Sequence, residues 1–150
     1  MVCTANRCRS PMAAALLAQI VQQPGANRPW QISSAGTWAI PDLPAMPLSQ
    51  KVMGQKGIDL SHHRSRRLTA ELMKAADVIL AMTQYQVEAI RAEFPEVADK
   101  TLLISQLIGQ AFDIDDPVTG TEEDYHRCAD DLAEILTAGY NRLEDLMRRT

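Results

Sequence analysis

Apolar residues recur at helical spacing between Pro11 and Gln23, where Met12, Ala15, Leu16, Ala18 and Ile20 fall among good helix formers, so a helix is predicted there. Ser10 and Pro11 suit its N-cap and first helical position, and Pro24-Gly25 end it. The short run Trp30-Gln31-Ile32-Ser33-Ser34 predicts a strand closed by Ala35-Gly36-Thr37, ahead of a proline-punctuated loop, WAIPDLPAMP. Residues 47–56 pattern as a helix stopped by Gly57. Thr69 can cap a short helix through Ala75. That helix runs into Asp77-Val78-Ile79-Leu80-Ala81-Met82, an apolar run suited to a buried parallel strand. Thr83 opens another helix to about Glu93, and Lys100 to Ser105 gives a further strand. The last helix starts at Thr121-Glu122-Glu123-Asp124, with Leu132, Ile135, Leu136, Leu143 and Leu146 as its buried stripe.

Strands alternating with helices predict an α/β fold of three layers, a small four-stranded parallel sheet flanked by helices on both faces. At 150 residues, 46% hydrophobic and 23% charged, the chain fits one domain spanning 1–150. It has no run of about 18 apolar residues and no succession resembling a signal peptide, so the expectation is a cytoplasmic protein without a membrane partner. A net charge of −4 argues against nucleic acid as a partner. RCR near the start and HHRSRR at 62–67 are local basic exceptions suited to small anions, although the run 64–67 is expected to be solvated. Three cysteines do not make a disulfide framework, and no cysteine or histidine spacing suggests a metal site. Oligomeric state is not legible.

The opening MVCTANRCRSP carries the candidate chemistry. A loop from Cys3 to Arg9 that feeds a helix N-terminus can curl around a tetrahedral oxyanion. Its backbone N–H groups turn inward, the helix adds positive partial charge, and Arg9 supplies a fork of donors. Cys3 at the base of that cradle is placed as a nucleophile, with Ser10 able to donate a hydrogen bond to its sulfur. In-line attack on a phosphate ester would give a phosphocysteine, with Arg9 holding the equatorial oxygens. The departing oxygen needs a proton and the later water a base. DIDDP at 113–117 offers Asp116, with Asp113 and Asp115 as local competitors. A lone Cys-x5-Arg spacing is a weak signal that chance can produce, and two buried cysteines packed as small hydrophobes would be equally ordinary.

These residues resemble the low-molecular-weight protein tyrosine phosphatase family. VCTANRCRSP resembles its phosphate loop, SSAGT the end of its second strand, GIDLSHHRSRRL its Gly-Ile-to-Arg-x-Leu segment, ADVILAM its third strand and DDP its acid loop, in family order. The resemblance implies Cys3 as nucleophile, Arg9 as phosphate binder, Ser10 as thiolate stabiliser and Asp116 as general acid. It also implies that Thr4, Ala5, Asn6, Arg7 and Cys8 line the bound phosphate. Asn6, Ser34 and His63 would form a hydrogen-bonded shell behind the loop, and no cofactor would be needed. Cys3 and Cys8 would form a reversible disulfide that shields the nucleophile. Cys128 is expected in the core.

Four departures from the family pattern set further expectations. Ala5 stands where the family commonly has glycine, so the loop there must adopt a conformation that a Cβ tolerates. Arg7, at the variable loop position facing the entrance, should repel a phosphoguanidinium and so weighs against a protein-arginine phosphatase. Val118 and Thr119 follow Pro117 where an aromatic is usual, leaving Trp38 as the wall for a phosphotyrosine ring. Only Met1 and Val2 precede Cys3, where about five apolar residues are usual. A truncated first strand is therefore expected, with a loss of roughly 1.5 to 3 kcal/mol for each missing side chain. The expected substrate is a phosphotyrosine protein or a small aryl phosphate. The alternatives are a non-catalytic phosphoresidue-binding module and an arsenate reductase, the latter disfavoured because residues 78–95 hold no cysteine.

Overall fold

Four short parallel strands organise the chain: β1 (Val2–Cys3), β2 (Ala35–Gly36), β3 (Ile79–Ala81) and β4 (Thr101–Leu103), in the order β2-β1-β3-β4. The computed structural model describes residues 1–22 and 29–148. Val2 pairs with both Ala35 and Ala81, and Ile79, Leu80 and Ala81 pair with Thr101, Leu102 and Leu103. β1 is therefore central, and the chain turns to opposite sides of it for β2 and β3. In such sheets ligands bind beyond the carboxyl ends of the strands at that reversal.

Side chains alternate across the sheet as the pleat requires. Val2, Ile79, Ala81 and Leu103 join Met73, Val87 and Ile90 in one buried cluster, under the helices α3 (Ala70–Ala75) and α4 (Gln84–Glu93). Cys3 and Leu80 point to the other face. There they meet Met12, Leu16 and Leu17 of α1 (Arg9–Val21), Val52 and Met53 of α2 (Pro47–Gln55), and Leu132 and Leu136 of α5 (Glu122–Ala138). Both faces are covered, as the apolar β3 run demands.

Three local expectations are corrected and a fourth falls outside the described residues. α1 starts at Arg9 with Cys8 as its N-cap, so Ser10 lies inside the first turn and its hydroxyl is free to bond elsewhere. The predicted helix end at Gln23, with Pro24-Gly25, lies outside the described residues, and α1 ends at Val21. Residues 30–34 form no strand. The ladder with β1 begins where Ala35 N–H donates to the Met1 carbonyl, and only the Met1 amino group reaches the Ser33 carbonyl. The last helix is two, α5 and α6 (Tyr140–Met147), broken at Gly139. A Cβ at Gly139 would lie 2.5 Å from Leu107 Cβ, so close packing requires glycine there.

Gly36 has the same kind of constraint. A Cβ on it would sit 2.4 Å from the Thr4 carbonyl and 2.9 Å from Ala39 Cβ. β2 thus presses its bare backbone against the loop that follows β1.

Candidate active site

The loop Thr4–Cys8 leaves the carboxyl end of β1 and enters α1 directly. No side chain caps that helix and no acidic residue occupies its first turn. Its leading N–H groups and positive end are left for an external anion. At the base of the loop Cys3, 3% exposed, has its Sγ 3.0 Å from Ser10 Oγ. Arg9 is also buried. It donates from one terminal nitrogen to the Ile114 carbonyl at 2.9 Å and from the other to Asp116 Oδ2 at 2.7 Å. Its Nε is buried without a partner, a donor that a bound oxyanion can satisfy.

Asn6 holds the loop in shape. It is fully buried and takes a left-handed backbone, φ 56°. Its Nδ2 donates to Ser10 Oγ at 2.9 Å and to Ser34 Oγ at 2.8 Å, and its Oδ1 accepts from Arg66 N–H at 3.0 Å. The His63 Nε2 lies 2.7 Å from the Asn6 carbonyl. Burial is the largest influence on that imidazole and lowers its pKa. Arg64 and Arg66 act in the same direction, against the bond to Asn6. Ala5 has no positive φ. Among the described non-glycine residues the left-handed turns fall at Asn6 and Asp42, so the loop makes its turn one residue later than Ala5.

Asn6→Ala removes three hydrogen bonds and leaves an alanine in the left-handed region. A loss of about 2 to 4 kcal/mol in unfolding free energy is expected, read as a lower urea midpoint. An unchanged midpoint would contradict the role given to Asn6.

The structure separates the three carboxylate candidates. Asp113 Oδ1 accepts from Gln84 N–H at 2.7 Å at the start of α4, while Asp115 stands exposed. Asp116 reaches Arg9 with one oxygen and accepts from Val118 N–H with the other, at 3.2 Å. Beside it a cleft of about 440 Å³ is lined by Asp115, Asp124, Arg127, Cys128 and Asp131. The backbone N–H of Trp38 donates to the Thr4 carbonyl at 2.9 Å, and the residue is 74% exposed. Arg7, half-buried on the same loop, donates from its Nε to the Pro44 carbonyl at 2.8 Å.

Cys8 is buried, with its Sγ 3.6 Å from Tyr125 Oη. Burial pushes the Cys8 thiol up, against the hydrogen bond with Tyr125. Burial likewise raises Cys128 to about 12, which keeps this core residue a thiol. All three cysteines are free.

The expectation that 64–67 is solvated is corrected at two positions. Arg66 donates its Nε to the Ser34 carbonyl at 2.8 Å, and Ser65 is 1% exposed with its hydroxyl bonded to the Ile40 carbonyl and Leu43 N–H. The run lies along Gly36 as an isolated parallel bridge at Arg67, which brings Ser65 and Arg66 against β2 while Arg64 and Arg67 stay exposed. Gln86 was not anticipated at the site. It donates from Nε2 to Thr4 Oγ1 at 3.1 Å and accepts with Oε1 from Met82 and Thr83 N–H. The Thr83-x-x-Gln86 capping box is the signal that could have found it.

The family described as low molecular weight phosphotyrosine protein phosphatase matches residues 1–148. A protein-arginine-phosphatase of Bacillus subtilis is 38% identical over 136 residues, covering 90% of this chain and 89% of the relative. A probable low molecular weight protein-tyrosine-phosphatase, EpsP, of Ralstonia solanacearum is 42% identical over 117 residues, covering 78% and 75%. The structure of a low molecular weight protein tyrosine phosphatase from T. tengcongensis superposes with a TM-score of 0.88 at 32% identity, covering 94% of this chain and 95% of that one.

Proposed function

This chain belongs to the low molecular weight phosphotyrosine protein phosphatase family, and on that footing we propose that it hydrolyses phosphotyrosine in proteins, or small aryl phosphates, through a phosphocysteine. One observation carries the reading: a single cluster joins Cys3 to Ser10 at 3.0 Å and Arg9 to Asp116 at 2.7 Å. The phosphoryl oxygens occupy the cradle of N–H groups from Thr4 to Cys8 and take up Arg9. Cys3 Sγ attacks phosphorus in line, the bond to the leaving oxygen breaks, and Asp116 gives that oxygen its proton. The Asp116 carboxylate then takes a proton from water, the oxygen of that water attacks phosphorus, and the S–P bond breaks to restore Cys3. Ser10 donates to the sulfur when it departs, and Asn6 and His63 keep the loop in register. No metal or organic cofactor enters these steps. A reducing cytoplasm suits chemistry that starts from a free thiol.

Phosphoarginine is the second reading, favoured by the similarity to the protein-arginine-phosphatase of Bacillus subtilis. The cation of Arg7 on the loop weighs against it, and the Trp38 wall favours an aromatic leaving group. The test is hydrolysis of p-nitrophenyl phosphate, a phosphotyrosine peptide and a phosphoarginine peptide side by side. The aryl phosphates are expected to exceed the phosphoarginine peptide by at least about tenfold in kcat/KM. The reverse order moves the reading to phosphoarginine. Binding of phosphopeptides without turnover of any of the three would leave a binding module instead.

A further inference from the structure

Large exposed hydrophobic side chains are not scattered over this molecule. Among the described residues they are Trp38, Ile40, Tyr85, Phe112 and Val118. All five lie on segments that follow the carboxyl ends of β2, β3 or β4, around the loop that carries Cys3. Single exposed hydrophobics need no explanation, but a set gathered at one end of the sheet marks an interaction surface.

Trp38, Ile40 and Val118 adjoin the entrance from the β2 side and from the acid loop. Tyr85 and Phe112 lie beyond β3 and β4 and are fixed there by polar bonds. Gln84 N–H donates to Asp113 Oδ1 at 2.7 Å, joining the residue before Tyr85 to the residue after Phe112. Gln86, the residue after Tyr85, donates to Thr4 Oγ1 at 3.1 Å in the phosphate loop. Phe112 bonds Ser105 Oγ with both its N–H and its carbonyl, which holds the backbone independently of the ring. Tyr85 is nevertheless 74% exposed and Phe112 41%. Two aromatic residues whose backbones are pinned by these bonds are thus left largely open to solvent near the loop that carries Cys3.

We propose that Tyr85 and Phe112 form a docking subsite for a bulky apolar residue flanking the phosphorylated one, so that the preferred substrates are polypeptides with apolar neighbours. This rests on the phosphatase reading and deepens it. The occupant is the substrate chain itself, because the surface is continuous with the cradle that holds its phosphoryl group. Asp113 and Asp115 border Phe112, so an acidic flank is repelled on this side while an apolar one is accepted. Rigid aromatic side chains suit this use, since ordering them costs little entropy.

The test uses peptide pairs identical except for leucine or serine beside the phosphorylated residue, made in phosphotyrosine and phosphoarginine forms, with p-nitrophenyl phosphate as the small substrate. The wild type is expected to favour the leucine peptide by about tenfold in kcat/KM, expressed mainly in KM. The Tyr85→Ser/Phe112→Ser double variant should lose that preference and keep its kcat/KM on p-nitrophenyl phosphate within about twofold. Equal use of the two peptides by the wild type would overturn the proposal. So would a preference that survives in the double variant, or an equal loss on the small phosphate. If turnover of the small phosphate survives Cys3→Ser, the catalytic reading fails whatever the flank preference.

Discussion

Cys3→Ser is expected to lower hydrolysis of p-nitrophenyl phosphate by on the order of 10⁴-fold or more while the protein melts within about 2 °C of the wild type. The side chain is buried at the end of β1 with its sulfur 3.0 Å from Ser10 Oγ, and a serine hydroxyl fits the same volume and makes the same bond. The fold therefore has no reason to suffer. The chemistry does, because an alcohol is a poorer nucleophile than a thiol-derived sulfur and its phosphate ester is a poorer leaving group in the second step. The cradle and Arg9 are untouched, so inorganic phosphate should still compete for the site. Retention of more than about 1% of the activity would remove Cys3 from the mechanism.

Asp116→Asn is expected to reduce kcat/KM for a phosphotyrosine peptide by about 10² to 10³-fold, and for p-nitrophenyl phosphate by much less. This parameter covers the steps through phosphocysteine formation, in which a tyrosyl oxygen needs a proton and p-nitrophenolate does not. The same change should tighten inhibition by inorganic phosphate. The Asp116 carboxylate holds an Arg9 nitrogen at 2.7 Å, and an incoming oxyanion has to compete with it. With asparagine the guanidinium keeps the Ile114 carbonyl and gives up its charged partner. A leaving-group series combined with phosphate inhibition separates the two effects. Equal losses across the series would deny Asp116 the role of acid.

Much of this arrangement is legible in the sequence because it is local. Within the first ten residues a cysteine, an arginine and a serine at a helix start are the pattern expected of an anion cradle, and the structure gathers them at 3.0 Å between Cys3 and Ser10, while the apolar run before Thr83 forms the buried strand β3. Ser10 reads differently in the sequence because a serine ahead of a proline suits an N-cap, yet tertiary bonds to Cys3 and Asn6 claim its hydroxyl and the helix begins two residues earlier. Arg66 and Gln86 were missed because their partners, Ser34, Asn6 and Thr4, are 32, 60 and 82 residues away in sequence. Periodicity is blind to such bonds. The break at Gly139 is hidden for a related reason: the apolar stripe continues through it, and the close approach of Leu107 that excludes a side chain there lies 32 residues away.

Gly36 has no side chain to offer to the chemistry, yet any side chain placed there would meet the Thr4 carbonyl. The position works as a spacer gauge between the sheet and the catalytic loop. In a genetic screen a substitution at Gly36 would therefore score as an active-site lesion, and a map of mutational tolerance would draw the catalytic territory one strand wider than the chemistry itself.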